Sequence, residues 1–190
     1  MTEGTKSYLV GCHQFLMHPL QDIRGWRYEH NRWPRWWELV AIFCHDIGIC
    51  GRQYLSVENG KAGHWKRGAL LAQRLVSDSL RIKAFILGKH RKAITRTIIR
   101  AYAREAYKLC AGHCPAESGY PESSLFRPDK RSWLLAPMWW LWLNYYVEWH
   151  GKGVGVTPPP EWRKLVAENL AREKPMGSHE LYLKHRRAAR

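Results

Sequence analysis

The stretch "ELVAIFCHDIGICG" (38–51) constrains the fold more than any other part of the chain. An apolar run preceded by Pro34 ends in a histidine beside an aspartate, with glycines at 48 and 51. Proline suits the first turn of a helix and glycine its end, so the run reads as a helix over 35–47 whose last turn carries His45 and Asp46. So apolar a helix belongs in an interior, where either polar side chain is costly without a partner. Other parts of the chain must bring charge-bearing groups to this helix end.

The remaining pattern offers helices and no convincing strand alternation. "GHWKRGALLAQRLV" from Gly63 reads as a second helix with Ala69, Leu70, Ala72, Leu75 and Val76 facing inward. Residues 81–111 read as one or two basic helices. A turn-rich loop, "CPAESGYPESS" (114–124), leads to the aromatic segment "WLLAPMWWLWLNYYVEW" (133–149), read as a buried helix. The expectation is an all-α fold: a single-domain helical bundle over residues 1–150, a Gly/Pro-rich linker at 151–160, and a C-terminal extension, 161–190, of an amphipathic helix and a basic tail. At 190 residues, one core suffices.

Composition bounds the partners. A formal charge of +15 favours polyanions such as nucleotides or nucleic acid, and equally serves as a solubilising surface. The start "MTEGTKSYLVGC" lacks the apolar core of a secretory signal. Five cysteines without a repeated CxxC spacing point to a reducing, cytoplasmic compartment. "CAGHC" (110–114) has no second cysteine pair to complete a zinc pattern, and its thiols read as structural. The aromatic segment has about 16 uncharged residues against the ~20 a span needs, so a membrane is not the expected partner. Any of the eleven tryptophans left exposed would suit a homo-oligomer interface.

Metal-competent side chains recur along the chain: His45 and Asp46 at one helix end, His64 opening the next helix, His113 ending a later one, and Asp129 starting another. Imidazole and carboxylate suit divalent Mn, Fe, Ni, Co, Zn or Mg, one or two ions, and a bundle can gather such ligands at its centre. Ten histidines also generate chance clusters, and each taken alone is more often a satisfied core or exposed side chain than a ligand.

The order "CHDIG" (44–48), "GHWKRGALLA" (63–72), "GHC" (112–114) and "PDKRS" (128–132) resembles the HD-domain metal-dependent phosphohydrolases over about residues 13–145. Asp129–Lys130 is similar to that family's closing segment, with proline in place of the usual small residue before the aspartate. The resemblance implies a helical bundle holding metal through an upstream histidine, His45, Asp46 and Asp129, with His64 and His113 serving a second metal or proton transfer. His13, His18 and His30 all precede the pair. His18, twenty-seven positions before His45, leaves room for a helix and a turn and is preferred.

The implied activity is nucleotide phosphoester or phosphoanhydride hydrolysis by a metal-activated water. Lys130, Lys66 and Arg24 are candidate phosphate contacts. Two other readings use the same residues differently. A nuclease or nucleic-acid-binding protein would lay a phosphate backbone along the basic region 81–108, where Lys89, Lys92, Arg96, Arg100 and Arg104 share a helical stripe. A non-enzymatic helical scaffold would meet an anionic surface through the aromatic segment and the tail.

Overall fold

The computed structural model describes residues 16–49, 63–88, 95–146 and 157–171. They contain eight helices and no strand: α1 (Met17–His30), α2 (Trp36–Cys44), α3 (His64–Ile86), α4 (Arg96–Ala111), α5 (Pro115–Ser118), α6 (Phe126–Leu135), α7 (Met138–Asn144) and α8 (Pro159–Ala171). The all-α expectation therefore holds among the described residues. His13, Cys12, Cys50, Lys89, Lys92 and the basic tail lie outside them.

The main core forms where α2, α3 and α4 meet. On α3, Ala69, Ala72, Val76 and Leu80 recur every three or four residues and are buried. Ala103, Ala106 and Cys110 do the same on α4. Small residues on both seams let the two backbones pair along much of their length. The apolar stripe continues past Val76 to Leu80, so α3 runs on to Ile86 instead of ending near 76, and the basic region 81–108 is divided between α3 and α4. Leu70 and Leu75, expected inside, lie off this stripe and are exposed.

α1 packs along α6. Glu29 on α1 accepts from Arg127 Nε at 3.0 Å and Arg131 Nε at 2.8 Å, both on α6. Gly25 supplies the close approach: a Cβ there would stand 3.1 Å from the Pro128 carbonyl carbon and closer still to its oxygen. Asn31, in the left-handed region at φ 50°, ends α1. Glu38 then fixes the start of α2 by accepting from the Arg35 backbone N–H at 2.6 Å and from both Arg32 terminal nitrogens at 2.7 Å.

The aromatic segment is two helices. Ala136 and Pro137 are extended, α6 stops at Leu135 and α7 starts at Met138. Proline lacks the N–H needed to continue α6. Trp133, Trp140 and Leu141 form a second core with Val166 and Leu170 of α8, whereas Trp139 remains 64% exposed. Arg163 of α8 donates to the carbonyls of Trp133 at 3.3 Å and Leu134 at 2.6 Å, capping α6. The C-terminal helix is thus packed onto the bundle. Among the described residues, no helix is long and apolar enough to cross a membrane.

Candidate metal centre

α2 ends one residue before the histidine. His45 is its C-cap, its N–H bonding to Ala41 O, and Asp46 lies in the following turn, where Ile49 N–H bonds to Asp46 O at 2.8 Å. The expected helix over 35–47 is therefore shorter, and both side chains sit in a tight turn beneath α3. Gly68 makes that crossing possible: a Cβ there would lie 2.5 Å from the His45 carbonyl oxygen and closer to that of Cys44. Gly25 does the same for α1 and α6. Each close approach joins segments that carry candidate ligands.

The centre has two halves sharing Asp46. In the first, His18 Nε2 lies 3.2 Å from Asp46 Oδ2 and 3.4 Å from Asp129 Oδ1. His45 Nε2 lies 3.3 Å from the same Asp46 oxygen and 4.0 Å from Asp129 Oδ1. In the second, Asp46 Oδ1 is 3.4 Å from His64 Nε2 and 3.2 Å from His113 Nε2, which are 3.2 Å from each other. All six residues are buried. Six side chains from five separate segments thus turn toward one small volume.

The histidines are held from behind. His45 Nδ1 donates to Ile42 O at 2.7 Å and His113 Nδ1 donates to Cys110 O. A carbonyl only accepts, so in both rings Nδ1 is the outward-facing donor and Nε2 is the nitrogen turned inward. His64 Nδ1 meets Glu117 Oε2 at 3.2 Å, and the Asp22 carboxylate faces His18 Nδ1 at 3.6 Å, a charge contact longer than a hydrogen bond. Outer acceptors that fix the tautomer are the usual support of metal-bound imidazoles.

Electrostatics asks for cations here. Asp22, Asp46, Asp129 and Glu117 surround the site, and the buried ammonium is Lys130, paired with Asp129 Oδ2. Burial alone would raise the carboxyls of Asp46 and Asp129. The neighbouring His45 and His113 hold Asp46 well below its ordinary range, and Lys130 and His18 do so for Asp129. Burial opposes charging of His18, yet Asp22 and Asp129 raise it well above its ordinary value. His113, beside Cys114 and Asp46, is pushed up to about 10 against the same burial effect. Metal-free, the centre takes up protons where divalent charge would serve. His45 Nε2 and both Asp22 oxygens are buried without a hydrogen-bond partner. Among the described residues, three groups have ligand atoms within 4.8 Å of one another and so could hold a metal ion: His18, His45 and Asp129; His45, Asp46 and His113; and His64, His113 and Cys114.

The other candidates fall elsewhere. His30 bonds to Ser124 O at 2.8 Å and packs on Trp26, away from the cluster. Arg24 is exposed on α1 and donates to Gln21 Oε1 at 3.1 Å, and Lys66 is exposed on the first turn of α3. Lys130 is buried against Asp129 instead of standing open to a phosphate. Sequence reasoning missed Asp22, whose i,i+4 spacing from His18 was the available signal, and Glu117, hidden in a turn-rich stretch. It also read Cys114 as a purely structural thiol, whereas Sγ is 4.0 Å from His64 Nε2.

No protein-family model matches the chain, and no match was found among curated proteins or among solved structures.

Proposed function

We propose that this protein is a metal-dependent phosphohydrolase of the HD-domain type acting on nucleotides. The observation that carries the reading is the convergence of His18 Nε2, His45 Nε2, Asp46 Oδ2 and Asp129 Oδ1, with separations of 3.2 to 4.0 Å. Ligands on an ion with bonds of about 2.0–2.2 Å stand about 3–3.5 Å apart, so small adjustments would let these four atoms share one. Asp46 offers its other oxygen to His64 and His113, suiting it to bridge a second ion. A divalent cation in such a site supplies Lewis-acid polarisation of a phosphoryl group and an acidified water. The chain's own part is to tie Nδ1 of His45 and His113 to backbone carbonyls, so that Nε2 is the nitrogen presented to the metal. Lys130 holds Asp129 in place and adds one buried positive charge behind that carboxylate. The test is a phosphate-release screen over nucleotides with Mn, Fe, Co, Ni, Zn and Mg in turn. Turnover that requires metal and is lost in Asp46→Asn supports the reading, and undiminished turnover in that variant refutes it.

One observation favours a polynucleotide over a mononucleotide substrate. A groove of about 1660 Å³ runs between α3 and α4, lined by Arg74, Arg81, Arg96, Arg100 and Arg104 with Phe85, Tyr107 and Tyr120. Asp78 pairs with Arg74 and Arg81, while among the described residues Arg96, Arg100 and Arg104 have no carboxylate partner. Cations interleaved with aromatic rings match a single strand's phosphates and bases. Its test is single-strand binding by fluorescence anisotropy across a salt series. Arg100→Ala should lower the salt slope by about one, and salt-independent binding would remove this reading.

A further inference from the structure

Cys44 and Cys110 behave as core thiols. Burial pushes Cys44 up to about 11, and Cys110 Sγ donates to Ala41 O at 3.4 Å inside the main core. Cys114 differs in its neighbours. It is 3% exposed, directly follows His113, and caps the short helix α5. Its sulfur is 4.0 Å from His64 Nε2 and within 4.8 Å of a His113 ring nitrogen.

We infer that Cys114 completes the second half of the centre, forming with His64, His113 and Asp46 Oδ1 a tetrahedral site of two nitrogens, one oxygen and one sulfur that selects a thiophilic cation such as zinc. The edges fit. A tetrahedral ion with bonds of ~2.0–2.1 Å to nitrogen and ~2.3 Å to sulfur places two nitrogens about 3.3 Å apart and nitrogen and sulfur about 3.6 Å apart. The corresponding separations are 3.2 Å for the two Nε2 atoms, 3.2 and 3.4 Å to Asp46 Oδ1, and 4.0 Å from His64 to sulfur. Closing the edge from His64 to sulfur takes a shift of about 0.4 Å, and a His113 ring nitrogen lies within 4.8 Å of the same sulfur. The support is in place as well, with Glu117 behind His64 and the Cys110 carbonyl behind His113.

The consequence is asymmetry between the halves. His18, His45, Asp46 Oδ2 and Asp129 offer only nitrogen and oxygen, a set tolerant of manganese or iron, whereas a thiolate disfavours magnesium and manganese. The inference rests on the proposed two-metal reading, and its test separates the two. The full-length reduced protein is titrated with cobalt(II), and the near-ultraviolet thiolate-to-cobalt charge-transfer band is followed together with bound cobalt. The expected result is two equivalents with the band, and one equivalent without it in Cys114→Ser. Zinc affinity of that variant at this position should fall at least tenfold. Persistence of the band in Cys114→Ser would overturn the inference and assign the sulfur to another cysteine. Wild-type protein binding cobalt with no band would overturn it too while leaving the metal-centre reading standing; no cobalt bound at all would end both. Zinc-edge X-ray absorption on the wild type gives an answer independent of the variant's folding: a sulfur scatterer at about 2.3 Å is required.

Discussion

Replacing Gly68 by alanine tests whether the helix crossings shape the centre. In an open helix interior the change would stabilise by about 1 kcal/mol. Here the new Cβ would lie 2.5 Å from the His45 carbonyl oxygen and closer to the Cys44 oxygen, both backbone atoms that cannot rotate away. Ordinary carbon contacts begin near 3.5 Å, so α3 and the end of α2 must separate by about 1 Å. Overpacking of this kind costs about 1–3 kcal/mol, leaving a net loss of about 0–2 kcal/mol after the propensity gain. For a chain of this size that lowers Tm by at most about 8 °C. The effect on metal should be larger in proportion. His64 rides on α3 while His45 and Asp46 follow α2, and coordination tolerates only about 0.2 Å of error. The expected fall in affinity is 10- to 100-fold, the range found when ligands lose their support. Chelator competition measures the affinity and thermal denaturation the stability, with the exposed Arg67→Ala as a control expected to stay within about 0.5 kcal/mol. Wild-type affinity together with a raised Tm in Gly68→Ala would refute the reasoning.

Three further perturbations probe separate parts of the account. Asp22→Asn keeps the shape but removes the carboxylate behind His18, so metal affinity in chelator competition should drop by about 10- to 100-fold, and an unchanged value would deny Asp22 that role. Because the metal-free fold raises His113 to about 10 from an ordinary 6.5, protonation there supports that state fully below 6.5 and progressively less as pH rises through 10. Metal binding at neutral pH must therefore expel protons, and its apparent affinity should climb with pH. Calorimetry in buffers of different ionisation enthalpy reads the release, and buffer-independent heats would contradict it. Arg163→Ala uncaps α6 and should cost about 1–2 kcal/mol in thermal denaturation while leaving metal content intact; loss of metal would tie α8 to the centre instead.

Much of the centre was legible because its residues combine helix-end positions with chemistry that burial makes expensive. His45, Asp46, His64, His113 and Asp129 could be picked out that way. Chain distance from His45 favoured His18 among the upstream histidines, and the α1–α6 pairing is what turns it inward and leaves His30 against Ser124. Glu117 was hidden because its turn-rich stretch gives no spacing to His64, and the i,i+4 pair of His18 and Asp22 gains its meaning only once α1 turns that face inward. Cys114 was masked by Cys110: the motif "CAGHC" shows two similar thiols, and only the turn after α4 sends one toward His64 and the other toward Ala41. Helix limits failed where tertiary packing overrode local cues, at the C-cap of α2 and in the extension of α3 to Ile86. The break at Ala136–Pro137, which the reading of 133–149 as one helix passed over, has its cause in proline's missing donor.

The most direct test is the metal content of purified protein, reloaded with zinc and manganese, dialysed, and compared with Asp46→Asn. Since one carboxylate of Asp46 faces all four histidines, the account predicts up to two equivalents in the wild type and nearly none in the variant. A folded Asp46→Asn protein that retains its full complement of metal would contradict it.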